Sequence, residues 1–265
     1  MRILFLQPPM GAWSTWGRHI PNNTNYVQLA ANIREWYPHV DIKVLDCRAF
    51  DLDEKQMIAS IREIDPELIY MGDALQTNGV AAMAARYQEV ARLIKETTPN
   101  IKICAGGFYY GANASNYLAE LPEFDFIISG ETEVSLPELT NELGKSEPDL
   151  ESIKGIAFRD NGGVRLTAYR PLLENLDDLP FPAYDLFPMD KYIGFSYVNN
   201  YAETYASRGC PNGCSFCVGW TNYDQRGQKD WTNYRTRSGD LVAEEFSILE
   251  KKHNVKFVGM MDEDL

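Results

Sequence analysis

Cys210-Pro211-Asn212-Gly213-Cys214-Ser215-Phe216-Cys217 places three cysteines within eight residues, at the spacing C-x3-C-x2-C. Pro211 and Gly213 bend the backbone between them, so the three sulfurs can converge on one point. Three thiolates on one loop make a site for a soft metal. The other two cysteines, Cys47 and Cys104, stand alone and far upstream, which is no pattern for a disulfide scaffold. Structural zinc wants four tetrahedral ligands, yet the nearest histidine, His253, lies 36 positions beyond Cys217 (253 − 217). A four-iron cluster held by three cysteines leaves one iron open to a small molecule. Reduced thiols without metal are the third reading.

Outward from the cysteines, Glu203–Ser207 reads as a strand, Ser238–His253 as a helix with Ser238 as its N-cap, and Lys256–Met261 as a further strand. Such a unit cannot bury its own faces. This second domain (199–265) is therefore expected to be the first part of a longer α/β fold, cut off in mid-course. Residues 146–198 read as a hairpin and a connector. Gly155–Phe158 and Val164–Thr167 pair through Asp160-Asn161-Gly162-Gly163, while Pro171, Pro180, Pro182 and Pro188 forbid a long helix.

Residues 1–145 alternate strand and helix. Short apolar runs at Arg2–Gln7, Asp41–Cys47, Glu67–Gly72, Ile101–Ala105 and Phe124–Ser129 are strands, and Val80, Ala84, Tyr87, Ala91 and Ile94 give Val80–Thr97 helical spacing. That alternation predicts a doubly wound, Rossmann-like parallel sheet, which binds ligands at the carboxyl ends of its strands. The loops at those ends are rich in small residues. They read Gln7-Pro8-Pro9-Met10-Gly11, Gly72-Asp73-Ala74-Leu75-Gln76-Thr77-Asn78, Gly106-Gly107-Phe108-Tyr109-Tyr110 and Gly130-Glu131-Thr132-Glu133. Together they let backbone approach a flat ligand closely.

The chain has 265 residues, 45% hydrophobic and 24% charged, which excludes disordered and fibrous classes. Against 25 Lys and Arg stand 38 Asp and Glu, a formal charge of −13 that argues against nucleic acid or an anionic membrane as partner. No apolar run reaches the roughly 18 residues of a membrane helix, and Met1–Pro8 reads as a strand rather than a signal peptide, so a cytoplasmic protein is expected.

Cys210, Cys214 and Cys217, with aromatic Phe216 directly before the last, resemble the C-x3-C-x-aromatic-C motif of the radical S-adenosylmethionine (SAM) enzymes. The resemblance implies a partial (β/α) TIM barrel and a 4Fe-4S cluster on the three cysteines, with SAM on the open iron. One electron then cleaves the sulfonium, and a 5′-deoxyadenosyl radical abstracts hydrogen from substrate. It also implies that Phe216 lies near the adenine, and that Asp262 and Glu263, at the end of the second barrel strand, meet the methionine ammonium. The familiar Gly-Gly-Glu form of that strand end is absent.

A doubly wound domain ahead of such a barrel resembles the cobalamin-binding radical SAM enzymes, over essentially the whole chain. The Leu179-Pro180-Phe181-Pro182-Ala183 connector adds to the likeness. Implied cobalamin contacts are Pro8, Pro9, Gly72, Gln76, Thr77, Asn78, Gly106, Gly107, Phe108, Gly130, Glu131 and Thr132. No Asp-x-His-x-x-Gly string is present, so the cobalt is expected to lack a protein imidazole; His19 reads as a loop residue, and His39 and His253 as solvated.

The function implied is an oxygen-sensitive C-methyltransferase acting on an unactivated carbon through methylcobalamin, fed by an external one-electron donor of flavodoxin or ferredoxin type. The alternative within the same architecture is a cyclase or rearrangement enzyme of the anaerobic porphyrin-ring type. An iron-sulfur electron carrier or redox sensor, or a binding module stapled by its cysteine loop, are the readings from other classes. The substrate, small molecule or peptide, is not written in these residues. Trp220-Thr221-Asn222-Tyr223, Trp231 and Tyr234 could contribute to its pocket but as rings more often pack within their own domain.

Overall fold

The computed structural model describes residues 1–10, 19–72, 80–160, 162–212 and 234–263. Among them β1 (Arg2–Gln7), β2 (Asp41–Asp46), β3 (Leu68–Gly72), β4 (Lys102–Gly106) and β5 (Phe126–Ile128) form a parallel array in the order β2-β1-β3-β4-β5. Antiparallel β6 (Ile156–Asp160) and β7 (Gly163–Leu166) extend it to a 7-stranded sheet. The order reverses between β1 and β3, which opens a crevice beyond their carboxyl ends.

Alternation along each strand feeds two cores. Ile3 and Phe5 of β1, Leu68 and Tyr70 of β3 and Cys104 of β4 face α1 (Thr24–Trp36) and α6 (Thr132–Leu143). Leu4, Leu6, Ile69, Met71, Ile103 and Ala105 face α2 (Glu54–Ile64), α3 (Val80–Thr97) and α5 (Ala114–Glu120), with the single turn α4 (Phe108–Gly111) between β4 and α5. Helix starts are chemically marked. Asn23 accepts from the amides of Asn25 and Tyr26 at α1, and Asp53 forms a capping box with Gln56 at α2.

After three 3-10 turns in the connector come β8 (Ile193–Gly194), β9 (Val198–Asn199), β10 (Tyr201–Thr204), β11 (Ser207–Arg208), β12 (Arg235–Thr236), α7 (Gly239–His253) and β13 (Phe257–Met260). β10 and β13 are parallel, while β11 and β12 are antiparallel. The strand expected at Glu203–Ser207 is split, with Tyr205 and Ala206 falling between β10 and β11, and the Asp262 carboxylate takes the amides of Ala206 and Ser207 at 2.9 and 2.5 Å. Ser238 stands at the N-cap of α7, but its hydroxyl makes no capping bond. Its amide is instead held by Asp177 at 2.9 Å, and Asp240 supplies the acidic charge of the first turn.

One apolar cluster runs through all three expected regions. It joins Ile3, Tyr26 and Leu29 to Ala183, Tyr184, Phe187 and Met189 of the connector, and to Ala202 and Leu249 beyond it. Each large aliphatic or phenylalanine side chain among them, fully buried, contributes about 1.5–3 kcal/mol. No described helix is long and apolar enough to cross a membrane.

Candidate functional site

At the crevice the end of β3 is held by a buried polar network. Tyr26 donates its hydroxyl to Leu6 O at 2.9 Å and accepts from Gly72 N at 3.0 Å. Asn23 Nδ2 and the Tyr87 hydroxyl both donate to Gly72 O at 3.3 Å, and both also reach Gln7 Oε1. Tyr26→Phe strands two buried backbone groups, at about 1–3 kcal/mol for each unsatisfied group. The expected result is a lower urea midpoint with an unchanged slope; an unmoved midpoint would show that the network carries no stability.

The glycines around the crevice divide into two kinds. A Cβ on Gly72 or Gly106 would stand 2.5 or 2.6 Å from the Tyr70 hydroxyl, so these two make room for a core tyrosine. Gly107 (φ 93) and Gly130 (φ 81) adopt backbone that L side chains avoid, and at Gly130 no atom of the described residues lies within 4 Å of the missing Cβ. Among the described residues the space over Gly130 is open. Pro8 and Pro9 lie at the rim beyond β1, where Pro9 O accepts from Arg86 Nε at 2.9 Å. Thr132 is buried, its hydroxyl 3.3 Å from Asn25 Oδ1. Phe108 opens α4, while Gln76, Thr77 and Asn78 lie outside the described residues.

The Glu131 carboxylate next to Gly130 is held by two arginines. Arg235 grips it with both guanidinium nitrogens, Nη1 to Oε2 at 3.1 Å and Nη2 to Oε1 at 2.8 Å, and the Leu173 amide donates to Oε2 at 2.8 Å. Arg208 Nη1 lies 3.5 Å from Oε1, and Arg208 Nη2 is 2.5 Å from Glu133 Oε1. Burial works to raise the Glu131 pKa, but the two arginines and the amide outweigh it and hold the carboxyl below its ordinary value. Arg208 and Arg235 face each other across the β11–β12 ladder. That ladder brackets the segment containing the three clustered cysteines.

Cys210 is half-buried, its sulfur 3.3 Å from Asn212 Nδ2; Cys214, Phe216 and Cys217 lie outside the described residues. Cys47 and Cys104 are fully buried, and burial pushes Cys47 up to about 12 and Cys104 well above the ordinary thiol range. Alkylation of the native protein at mildly alkaline pH should therefore label Cys210 and spare these two, as read by peptide mass spectrometry. Modification of Cys47 in native protein would refute that assignment.

Asp262 Oδ1 accepts from Ala206 N, Ser207 N and the Ser207 hydroxyl, which ties the end of β13 to the approach to the cysteines. Its Oδ2 is buried without a hydrogen-bond partner among the described residues. Burial pushes the Glu263 carboxyl up, against the opposing pull of Arg235 and Arg208. His19 stacks on Phe195 at 3.8 Å, with Nε2 3.2 Å from Glu203 Oε1. His39 is exposed as expected, whereas His253 is half-buried beside Tyr184 and its pKa is lowered by that burial. Sequence reasoning passed over Arg208, Arg235 and Tyr26; only their partners, far along the chain, give them a role.

No model of a known protein family matches the chain. It is 32% identical over 235 residues to an uncharacterized methyltransferase of Pyrococcus horikoshii, covering 89% of this chain and 47% of that protein. It is 27% identical over 269 residues to the anaerobic magnesium-protoporphyrin IX monomethyl ester cyclase of Rubrivivax gelatinosus, covering 100% of this chain and 45% of the cyclase. The chain thus spans about half the length of these curated relatives. Its fold matches the radical SAM methyltransferase TsrM from Kitasatospora setae, solved with cobalamin and a [4Fe-4S] cluster bound, with a TM-score of 0.68 at 17% identity over 99% of this chain and 47% of that one.

Proposed function

We propose that this chain, related by sequence and fold to the cobalamin-dependent radical SAM enzymes, carries the cofactor-binding portion of a methyltransferase acting on an unactivated carbon. The observation that carries the reading is the meeting of two features. The segment with Cys210, Cys214 and Cys217 departs from β11, and the Arg208 of that strand is paired to the loop that follows β5 at the crevice. The ladder from which the cysteine-bearing segment departs is therefore tied to the loop at the glycine-containing end of the sheet.

The residues present fit both groups. Gly130 leaves open space beside it among the described residues, and Gly107 and Gly130 both hold backbone with positive φ at the loops after β4 and β5, where a flat macrocycle would be approached by backbone. Cys210 with Cys214 and Cys217 would hold the cluster, and Glu263, at the end of β13, would meet the ammonium of SAM. When bound, the cluster supplies one electron to the sulfonium of SAM and the corrinoid supplies a methyl carrier. Asp262 fixes the backbone of Ala206 and Ser207 just before the cysteines, so the sulfurs start from a defined base. A flavodoxin or ferredoxin type of protein would deliver the electron, in the cytoplasm.

The test uses the full-length protein, reconstituted without oxygen. Expected are about four iron and four sulfide per chain, binding of hydroxocobalamin, and 5′-deoxyadenosine on adding dithionite and SAM. Absence of deoxyadenosine with the cluster intact would leave an electron carrier as the better description. The similarity to the cyclase over the entire chain supports a second reading, ring closure without methyl transfer. Isotopic label from the SAM methyl group in the product separates the two.

A further inference from the structure

We propose that Glu131 is a positioning residue whose carboxylate sets where the cysteine-bearing segment stands relative to the crevice, and so fixes one separation between the two cofactor sites. The inference rests on the two-cofactor reading above and reassigns Glu131 from corrinoid contact to strut.

The geometry is that of a clamp. Glu131 directly follows Gly130, whose φ of 81° turns the chain at the crevice rim, and its side chain meets Arg208 and Arg235, which flank the cysteine-bearing segment in sequence. Arg208 and Arg235 are cross-strand partners on a ladder of two residue pairs. A carboxylate reached by both arginines closes that short ladder from outside, and the Leu173 amide supplies a third donor. Two residue pairs alone make a weak ladder. The side chains of Glu131, Arg208 and Arg235 are 10%, 7% and 12% exposed, so water screens these pairs little. The bidentate Arg235 contact fixes orientation as well as distance.

A merely structural ion pair would alter stability and nothing else. The strut should also alter the magnetic interaction between the two cofactors, which depends on their separation. Glu131→Gln in the full-length protein is expected to keep wild-type iron content and hydroxocobalamin uptake. Its cob(II)alamin signal, recorded with the cluster reduced, should need a different microwave power for half-saturation. Glu131→Asp keeps the charge on a shorter arm and should fall between the two. In the cofactor-free protein, Glu131→Gln and Arg235→Gln should each lower the urea midpoint, and the double variant should fall no further than the worse single one.

Saturation behaviour identical to wild type, or additive midpoint shifts, would overturn the strut. Loss of corrinoid alone from Glu131→Gln, with iron retained, would return Glu131 to the role of a corrinoid contact and also overturn it. Wild-type protein that bound neither cofactor would sink the functional reading and this inference with it, while a non-additive cycle would still separate that failure from a misread ion pair.

Discussion

Replacing Cys210 with alanine should strip the iron-sulfur centre from the protein and lower deoxyadenosine formation by roughly a hundredfold or more, since even outer-shell changes at metal sites cost about 10–100-fold. With three protein ligands for a four-iron centre, no spare sulfur takes the place of the lost one. Cys47 and Cys104 cannot substitute. They are buried in the two cores of the first sheet, and burial keeps both as thiols. Cys104→Ala is the matched control and should retain full iron loading. Iron and sulfide analysis of both variants after anaerobic reconstitution decides the matter; full loading of Cys210→Ala would remove this residue from the ligand set.

The second large effect is expected at Glu245, on α7. Its carboxylate is fully buried, accepts from the Tyr184 hydroxyl at 2.5 Å and the Thr204 hydroxyl at 2.6 Å, and lies 2.5 Å from Arg237 Nη2. The three partners belong to the connector, to β10 and to the turn before α7. Glu245→Ala leaves a buried guanidinium without its counter-ion, which costs about 3–5 kcal/mol. Against a typical total of about 5–15 kcal/mol, that is a large share of the stability. Glu245→Gln keeps an acceptor for Tyr184 and Thr204, so it should lose less. Denaturant midpoints at a common slope measure both, and an alanine variant as stable as wild type would mean that Arg237 finds solvent when released.

Much of the fold was legible because its signals are local. Arg2–Gln7 has the expected bounds, and Val80–Thr97 matches its apolar spacing. What stayed hidden depends on residues far apart in the chain. Glu131 reads from the sequence as a ligand contact because it follows a glycine after a strand, and its bidentate pair with Arg235, 104 positions away, is invisible there. That Gly72 and Gly106 also make room for the Tyr70 hydroxyl is likewise invisible in the sequence. Asn22 brackets the backbone of Glu203 from 181 positions upstream, accepting from its amide and donating to its carbonyl, and no periodicity announces that pairing. Ser238 shows the same limit at short range: a residue type suited to capping was placed correctly, while Asp177 decided how its backbone is held.

The apolar cluster that threads the sheet, the connector and α7 bears on how such a protein can be recombined. A crossover placed at the Pro-rich stretch would join halves whose greasy faces came from different parents. Tyr184 and Phe187 would then meet partners shaped for other side chains, and mismatched interiors typically cost 1–3 kcal/mol per misfit. Viable chimeras should therefore inherit the seam as one block, with exchange confined to the wet ends of the strands.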